Sequence, residues 1–464
     1  MSPIVEVIET SELGDRSYVA HDGEVAVVID PQRDIDRVES VLDEHGLTCE
    51  VVLETHIHND YVTGGLELAR RAGARYVVAA AEAVEFDRFP VADGDELEAG
   101  RMCIKVISTP GHTVTHLAYR IDDGEGPAAV FTGGSLLFGS VGRTDLVDSE
   151  RTEELTRAQF HSARRLAQLS ADSDRVYPTH GFGSFCSSGS ATGGDRGTIG
   201  GERARNDALT EQDEDAFVTR LVAGLTAYPR YYAHMGARNR RGPGPIDLST
   251  PNPVEPDELR MRIDAGEWVV DLRDRAAYAA AHVGGTISIA LGQQFSTYLG
   301  WLIPWGTPLT LIGETPEQVA DAQRQLVRIG IDELDGAAIG TPGTLADSDH
   351  VRSYPTASFT ELATAQGRDG VVVLDVRRDD ERAAGAIPGS VHIPLHSLIE
   401  RLVQIPEGQL WVHCASGFRA SIAASILDRG GFDVVHVDDE YSSAVAAGLA
   451  TGAAASTRRH DRTR

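Results

Sequence analysis

A cysteine and an arginine near the end of the chain have the spacing of a reactive loop. Cys414 follows the largely apolar segment 410–413, and Arg419 comes five positions later, just before an apolar helical pattern. Backbone N–H groups at a helix N-terminus, together with a nearby guanidinium, favour the thiolate form of a cysteine. The segment therefore predicts a nucleophile at Cys414, with Arg419 stabilising the anion. A buried strand-end thiol without chemistry is the alternative.

Four histidines in three separate segments could bind a metal ion. His56, His58 and Asp60 form an H-x-H-x-D pattern directly after an apolar strand pattern, while His112 and His180 lie in glycine-containing turns. Imidazoles and carboxylates at strand ends can converge on one ion. We therefore predict a metal centre from these five residues, with histidines that serve only packing as the alternative.

The elements that must position these residues follow from hydrophobic periodicity. Up to about residue 185 strands and helices alternate, with strands predicted at 4–8, 17–20, 25–29, 51–54 and 76–79 and helices at 35–44 and 66–72. Residues 186–206 are rich in Gly and Ser and predict a long loop. A segment rich in Pro, Gly and Arg predicts a domain boundary near residue 250.

After that boundary the chain repeats itself. Trp268–Arg273 aligns with Val372–Arg377, and Leu309–Gly313 aligns with Leu410–Cys414. In the earlier copy Gly313 replaces the cysteine and Gln318 replaces the arginine. That copy is therefore predicted to be catalytically inactive and to have a structural role.

These motifs resemble two known families. The C-x-x-G-x-R loop is similar to that of rhodaneses, which are sulfurtransferases, and so are the strand that ends in Asp375 and Arg377 and the run Ala386–Pro394. The histidine motifs resemble the metallo-β-lactamase fold over about residues 5–200. Within that superfamily, Gly142–Leu146 resembles the persulfide dioxygenase and glyoxalase II branch.

The resemblance implies an α/β chain of three domains. We expect an N-terminal αββα metallo-β-lactamase-like sandwich, followed by two rhodanese-like α/β domains with central parallel sheets. The expected bounds are 1–248 for the first domain, 249–348 for the degenerate rhodanese-like domain, 349–452 for the catalytic rhodanese domain and 453–464 for a disordered tail.

The chain departs from the dioxygenase pattern at two positions. Tyr61 stands where the family has the last histidine of H-x-H-x-D-H, and Gly134 stands where it has a metal-binding aspartate. The resemblance implies one Fe(II), held by His56, His112 and a third ligand such as His58. Zn(II) is an alternative, and so is a metal-free centre, because Gly134 supplies no carboxylate. Both departures argue against a two-metal hydrolase.

The combination of domains implies a function in persulfide detoxification. A low-molecular-weight persulfide, such as glutathione persulfide, would be oxidised by O₂ to sulfite at the metal, coupled to sulfane-sulfur transfer at Cys414 that involves thiosulfate or sulfite. A glyoxalase II-type thioester hydrolase and a non-catalytic thiol-binding scaffold are the alternatives. Cys186 is a candidate to carry a persulfide near the metal. Further candidates for contact with substrate are Arg143, Arg196, Arg203, Asp375 and Arg377.

Composition narrows the partners and the compartment. A net charge of −28 argues against nucleic acid and anionic membranes. The sequence contains no run of 18 apolar residues, so no membrane span is predicted, and the N-terminus has no signal-peptide pattern. The four cysteines are scattered, as in proteins kept reduced. We therefore expect a cytoplasmic protein, and the resemblance to the lactamase fold is compatible with a homo-oligomer.

Overall fold

The computed structural model describes residues 2–188 and 196–452. The chain divides into two compact units, of which the first comprises residues 1–247 and 324–332 and the second residues 248–323 and 333–464. The tail predicted for residues 453–464 lies outside the described residues. The three predicted domain bounds remain predictions, since this division into two units does not test them.

Two six-stranded sheets form the centre of the first unit. The first sheet has the order β1-β2-β3-β4-β5-β6 and the second has the order β12-β11-β10-β9-β8-β7. Their strands are β1 (Ile4–Thr10), β2 (Asp15–His21), β3 (Val25–Ile29), β4 (Thr48–Leu53), β5 (Arg75–Ala79), β6 (Phe89–Val91), β7 (Glu96–Ala99), β8 (Met102–Ser108), β9 (Leu117–Asp122), β10 (Ala129–Gly133), β11 (Arg175–Pro178) and β12 (Gly197–Thr198).

Helices cover the outer face of each sheet. They are α1 (Asp36–His45), α2 (Gly65–Ala72), α3 (Thr152–Gln168), α4 (Ile199–Arg205), α5 (Asp207–Thr210), α6 (Glu214–Ala223) and α7 (Tyr232–Arg241). Alternate residues of one strand reach different cores, because successive side chains of a strand point to opposite faces. Val27 and Ile29 pack between the two sheets, whereas Ala26 and Val28 pack with α1 and α2. A further core joins the second sheet to α3 and α6. This layering confirms the predicted αββα sandwich.

One predicted loop is wrong in part. Residues 186–206 include β12 and α4 rather than loop alone. The Thr198 hydroxyl accepts a hydrogen bond from the Gly201 N–H and so caps α4, while Ile199 is fully buried. The high Gly and Ser content of the segment predicted a loop, although Thr198 caps a helix there and Ile199 is buried.

The second unit contains two parallel sheets of matching strand order. The middle sheet runs β15-β13-β16-β17, and the last sheet runs β22-β20-β23-β24-β19. The strands are β13 (Trp268–Asp271), β14 (His282–Val283), β15 (Ile287–Ser288), β16 (Leu309–Gly313), β17 (Gly336–Ile339), β18 (Val351–Arg352), β19 (Thr356–Ala357), β20 (Val371–Asp375), β21 (Gly385–Ala386), β22 (Val391–His392), β23 (Gln409–His413), β24 (Val434–Val437) and β25 (Thr451–Gly452).

Helices flank these sheets as in other doubly covered parallel sheets. They are α8 (Pro256–Asp264), α9 (Arg275–Ala280), α10 (Phe295–Leu302), α11 (Pro316–Arg328), α12 (Pro342–Leu345), α13 (Phe359–Ala365), α14 (Asp379–Ala383), α15 (Phe418–Arg429) and α16 (Tyr441–Ala446). Helix α11 is divided between the two units, because residues 324–332 belong to the first unit.

The register of the two sheets supports the internal repeat. Asp271 pairs with Ile312 in the middle sheet, and Asp375 pairs with His413 in the last sheet. The next residue is Gly313 in one copy and Cys414 in the other. The two copies therefore place a glycine and a cysteine at equivalent strand ends, as the sequence predicted. In the part of the chain that the structure describes, no helix has the length and hydropathy needed to cross a membrane.

Candidate metal centre and sulfur-transfer loop

The four predicted histidines of the first unit lie together. The ring centroid of His56 is 4.1 Å from that of His58, 4.8 Å from that of His112 and 5.3 Å from that of His180. All four side chains are buried. The ends of distant strands thus bring these imidazoles into one cluster, as the sequence predicted.

Two of these imidazoles are held by acceptors on their outer nitrogens. His112 Nδ1 lies 2.7 Å from the backbone oxygen of Arg143, and His180 Nδ1 lies 2.9 Å from Asp15 Oδ1. A nitrogen that faces such an acceptor carries the proton of the neutral ring, so Nε2 has the lone pair. Burial lowers the pKa of His180, but Asp60 and Asp15 outweigh it and raise that pKa to about 10, so a metal ion would displace a proton from His180 Nε2. Both Nε2 atoms are therefore available as ligands.

His56 and His58 are oriented in a similar way. His56 Nδ1 lies 2.9 Å from Thr55 Oγ1. His58 Nε2 lies 3.3 Å from Asp30 Oδ1 and 3.2 Å from Glu54 Oε2, whereas its buried Nδ1 finds no hydrogen-bond partner among the described residues. Carboxylates that hold one ring nitrogen and leave the other free are typical of metal-binding histidines.

The spacing of the free nitrogens fits a cation. His56 Nε2 and His180 Nε2 are 3.3 Å apart. Two nitrogens at about 2.0–2.1 Å from one ion would lie about 3.3–3.4 Å apart at the tetrahedral angle. His112 Nε2 is buried and, within residues 2–188 and 196–452, has no hydrogen-bond partner. Lone pairs that converge in this way are costly unless a cation lies between them. The residues present therefore fit a single metal ion.

A carboxylate and a thiol complete the cluster. Asp60 Oδ2 lies 3.2 Å from His180 Nδ1, yet neither Asp60 oxygen accepts a well-formed hydrogen bond from any described residue. Cys186 Sγ, a nitrogen of His112 and a nitrogen of His180 all lie within 4.8 Å of one another. The structure thus brings the predicted Asp60 and Cys186 to the histidines.

The two departures from the dioxygenase pattern have different structural causes. The Tyr61 ring stacks on His58 at a centroid distance of 4.2 Å, and its hydroxyl lies 3.0 Å from His58 Nε2. A Cβ atom at Gly134 would lie 2.3 Å from His112 Cδ2. Tyr61 therefore supports His58 where a further ligand would stand, and His112 fills the room that a side chain at position 134 would need.

The electrostatics of the four rings differ with their neighbours. Burial lowers the pKa of His58, but Asp30 and Glu54 outweigh it and raise that pKa to about 9. Burial and the neighbouring His180 lower the pKa of His112 to about 3. A divalent cation beside His58 Nδ1 would replace the proton that these carboxylates otherwise favour.

The sequence did not identify four residues that orient the ligands, namely Asp15, Asp30, Glu54 and His116. His116 stacks on His56 at a centroid distance of 4.9 Å, and its Nε2 accepts the Gly134 N–H at 3.0 Å. Asp30 directly follows β3 and has a φ of 50°, which is unusual for a residue other than glycine. An aspartate at the end of the strand beside β4 was the available signal for Asp30, whereas nothing local marked Asp15.

The predicted substrate contacts from arginines receive no support from the structure. Arg143 is buried, forms a bidentate ion pair with Asp145, and donates to the backbone oxygens of Phe185 and Thr226. Arg203 pairs with Asp172 and with carbonyl groups at the end of α3. Arg196 is exposed and follows the undescribed residues 189–195. These contacts hold Arg143 and Arg203 in the fold, and contact with substrate remains a prediction for all three arginines.

The Cys414 loop of the second unit has the predicted local structure. Cys414 follows β23 and is buried, and α15 begins at Phe418. Gly417 has a φ of 83°, and a Cβ atom there would lie 2.1 Å from Asp438 Oδ1. A glycine is therefore required for the turn that carries the chain from the cysteine into the helix.

Arg419 has a partner that the sequence did not predict. Its Nη1 and Nη2 atoms donate to the Glu381 carboxylate at 2.5 and 2.7 Å. Burial lowers the pKa of Arg419, but Glu381 outweighs it and raises that pKa well above its ordinary value, with a further contribution from Cys414. The guanidinium that acts electrostatically on Cys414 is therefore one half of an ion pair with Glu381.

The middle repeat contributes a wall beside Arg419. Tyr298 and Trp301 of α10 line a small cavity with Arg419 and His396. Trp301 stacks on His396 at a centroid distance of 5.3 Å, and Tyr298 meets Phe418 edge-on at 5.6 Å. The copy that lacks a cysteine thus lines a cavity beside Arg419 of the copy that has one, and no local sequence pattern predicted this contact.

Asp375 and Arg377 form a buried internal pair rather than an open binding site. Arg377 Nη2 donates to Asp375 Oδ2 at 2.7 Å, and Arg273 donates to Asp271 at the same distance in the middle repeat. Since the middle copy, which lacks the cysteine, keeps the same pair, the pair stabilises the strand end in both copies. Contact with substrate, which the sequence predicted for this pair, remains a prediction.

Fold and site together define the class of each part. The chain carries a metallo-β-lactamase domain and, towards its C-terminus, a rhodanese domain. Residues 14–180 match the metallo-beta-lactamase superfamily, and residues 358–447 match the rhodanese-like domain. The rhodanese match falls on the repeat that contains Cys414.

Two kinds of known enzyme are similar to part of this chain. A hydroxyacylglutathione hydrolase of Methylobacillus flagellatus is 32% identical over 36% of this chain and 61% of its own length. The mitochondrial persulfide dioxygenase ETHE1 of Homo sapiens is 28% identical over 44% of this chain and 72% of its own length. The chain spans about three fifths of the length of the hydroxyacylglutathione hydrolases that it matches.

A solved structure extends the likeness. The crystal structure of a metallo-beta-lactamase from Staphylococcus aureus subsp. aureus COL is 27% identical, has a TM-score of 0.66, and covers 74% of this chain and 100% of its own. The 74% of this chain that the likeness covers is more than the first unit contains, so the likeness includes part of the second unit.

Proposed function

We propose that the chain oxidises a low-molecular-weight persulfide, such as glutathione persulfide, to sulfite and transfers sulfane sulfur at Cys414. The observation that carries this proposal is the donor set for one metal ion, in which Tyr61 and Gly134 supply no ligand for a second. The likeness to a persulfide dioxygenase supports the same reading. One Fe(II) is the proposed cofactor, and the same donors would hold Zn(II).

The proposed reaction balances with O₂ as the oxidant. A persulfide RSSH, O₂ and water give the thiol RSH, sulfite and two protons. A metal ion at the centre would supply open coordination positions for the persulfide sulfur and for O₂. The chain itself orients the ligands through Asp15, Asp30 and Glu54. It also excludes bulk water, because the imidazoles are buried.

Cys414 carries out the second proposed reaction, the transfer of sulfane sulfur. Its thiolate attacks the outer sulfur of a persulfide, which releases the thiolate RS⁻ and leaves a persulfide on Cys414. Sulfite then attacks the outer sulfur of that persulfide, so thiosulfate forms and the Cys414 thiolate returns. The helix N-terminus at Phe418 and the Arg419–Glu381 pair provide the field around the sulfur anion.

Oxygen uptake together with metal analysis tests the proposal. The purified chain reconstituted with Fe(II) should consume O₂ and release sulfite when glutathione persulfide is added. Thiosulfate should replace sulfite as the product when Cys414 is intact and persulfide is in excess. Absence of O₂ uptake by a chain that holds one iron would reject the dioxygenase activity.

A second candidate is the hydrolysis of a glutathione thioester. The identity to hydroxyacylglutathione hydrolases favours it. In that case the chain should release glutathione from a thioester with zinc bound and without O₂ uptake. If neither reaction occurs and the chain holds no metal, the first domain would be a thiol-binding scaffold and Cys414 alone would be reactive.

We further propose a cytoplasmic location for this activity. The four cysteines are free thiols in the structure, as a reducing compartment would keep them. The proposed partners are a small thiol persulfide, sulfite or thiosulfate, and O₂. The net charge of −28 disfavours nucleic acid as a partner.

A further inference from the structure

Position 134 supplies no anionic ligand to the metal centre. A Cβ atom at Gly134 would lie 2.3 Å from Cδ2 and 2.5 Å from Cγ of His112. His112 is fixed there at two points. Its ring Nδ1 lies 2.7 Å from the backbone oxygen of Arg143, and its backbone N–H donates to Gln159 Oε1 at 2.7 Å. No side chain can therefore enter from this position while His112 keeps its place.

Cys186 places a potential anionic ligand beside His112 and His180. Its sulfur and nitrogens of His112 and His180 all lie within 4.8 Å of one another, and only 1% of the residue is exposed. A zinc–sulfur bond of about 2.3 Å and zinc–nitrogen bonds of about 2.0–2.1 Å would bring these atoms within about 3.3–3.6 Å of one another. A small rearrangement of side chains would close that difference.

The loop around Cys186 is anchored on both sides of the thiol. The Arg143 N–H donates to the Cys186 oxygen at 2.9 Å, and the Arg143 guanidinium donates to the Phe185 oxygen at 3.1 Å. The Ser188 N–H donates to the Val141 oxygen at 3.1 Å. These bonds tie the loop to the segment whose carbonyl group orients His112. The positions of the thiol and the imidazole are therefore set by the same few hydrogen bonds.

Unsatisfied polar atoms beside the thiol point independently to a cation. His112 Nε2 and both carboxylate oxygens of Asp60 are buried and, over the ranges that the structure describes, lack a hydrogen-bond partner. Burying an imidazole lone pair without a partner is costly, and the Asp60 carboxylate, whose Oδ2 lies 3.2 Å from His180 Nδ1, can still accept from further donors. A cation would satisfy all three atoms, whereas a neutral thiol could donate to only one of them.

We propose that the Cys186 thiolate is a ligand of the metal, in the role that a carboxylate at position 134 would otherwise have. The inference rests on the metal centre of the proposed function but not on its dioxygenase chemistry. Metal binding would release the thiol proton, so loading the centre is coupled to proton release. A metal-bound thiolate would not serve as a carrier of substrate sulfur, which was the role predicted from the sequence.

Cobalt substitution tests this proposal without reference to activity. A metal-free chain that carries Cys414→Ser, to remove the other reactive thiol, is titrated with Co(II) alone. A thiolate ligand gives an intense sulfur-to-cobalt charge-transfer band in the near ultraviolet. We expect this band at one equivalent of cobalt, and we expect Cys186→Ser to abolish it and to weaken cobalt binding by about 100-fold, at the upper end of what loss of a supporting ligand partner costs.

Two further variants make the outcome specific. Cys103→Ser changes a thiol on β8 of the same domain and should leave both band and affinity unchanged. Cys186→Asp should lack the band but retain affinity within about 10-fold, since a carboxylate is also an anionic ligand. A band that persists in Cys186→Ser, cobalt bound without any band, or no binding of cobalt would each overturn the proposal.

Failure of the ligand and failure of the dioxygenase remain distinguishable. A chain that shows the band but no O₂ uptake in its iron form would keep Cys186 as a ligand and reject the dioxygenase. A chain that takes up O₂ but shows no thiolate band would keep the activity and reject the ligand.

Discussion

Cys186 and Cys414 are two thiols of equal burial in different surroundings. Each is only 1% exposed, and each lies in a loop that follows a strand. Cys186 lies beside the imidazoles of His112 and His180, and the Asp60 carboxylate is nearby. Cys414 precedes the N-terminus of α15 and has a guanidinium nearby. Burial therefore does not decide the chemistry of a cysteine here.

The difference lies in how each loop would stabilise a thiolate. Fixed N–H dipoles and a paired guanidinium leave the sulfur free to attack, which suits a nucleophile. Unpaired imidazole lone pairs need a mobile cation, and that cation would hold the sulfur as a ligand. The same side chain can thus be a catalyst in one domain and a structural part of a metal centre in the other.

The largest expected effect follows from removal of the nucleophile. Cys414→Ser should lower the transfer of sulfur from thiosulfate to cyanide by at least about 10³-fold, because a hydroxyl at this position is a poor nucleophile towards sulfur. Metal content and O₂ uptake per metal should stay at the level of the native chain. Equal loss of sulfur transfer and of O₂ uptake would contradict the assignment of the two activities to separate sites.

A smaller effect is expected where the metal centre is crowded. Gly134→Ala should lower metal affinity by about 10–100-fold, because the new Cβ atom displaces the His112 ring. Equilibrium competition with a chromophoric chelator measures this affinity. Gly201→Ala in α4 is the matched control, since a Cβ atom there meets only Thr198 Oγ1 at 3.5 Å. Higher O₂ uptake by Gly134→Asp would contradict this account, because it would show that a carboxylate fits beside His112.

The two repeats provide a matched pair for the next test. Asp375→Asn and Asp271→Asn each leave a buried arginine without its bidentate partner, so each should lower the free energy of unfolding of its domain by about 3–5 kcal/mol. Thermal unfolding followed by calorimetry measures both losses. A raised KM for thiosulfate in Asp375→Asn without loss of stability would instead support the predicted contact with substrate.

The smallest effect concerns a third thiol that has neither kind of partner. Burial raises the pKa of Cys49 to about 12. The unfolded chain releases this proton from about pH 8.5, so stability falls as pH rises from there towards about 12. Cys49→Ala should make the Tm decline less steeply between about pH 8.5 and 10, at a cost of about 1 kcal/mol in lost packing at neutral pH. An unchanged slope would show that Cys49 does not titrate on unfolding.

Local patterns predicted much of both sites. The H-x-H-x-D spacing after β4 and the loop after β23 were informative because parallel strands end at one edge of a sheet, where their loops meet. The alignment of Gly313 with Cys414 also held, since strand register preserves equivalent positions in both copies. These features depend on spacing along the chain.

Contacts between distant segments were not predictable in the same way. Asp15 and His180 are joined at 2.9 Å although 165 positions separate them. Arg143 pairs with Asp145 and donates to a backbone oxygen of a distant segment, and no local pattern predicted the second contact. The pairing of Arg419 with Glu381 likewise has no local signal.

The amino-acid sequence by itself determined which chemical groups the chain can offer, namely imidazoles, carboxylates and a loop thiolate, because these follow from residue type and strand periodicity. Only the tertiary structure decided which nitrogen of each ring is free and that His112 occupies the room beside Gly134. It also decided that Cys186 reaches the centre. The physical reason is that ligand orientation depends on hydrogen bonds and steric exclusion between segments that meet only after folding.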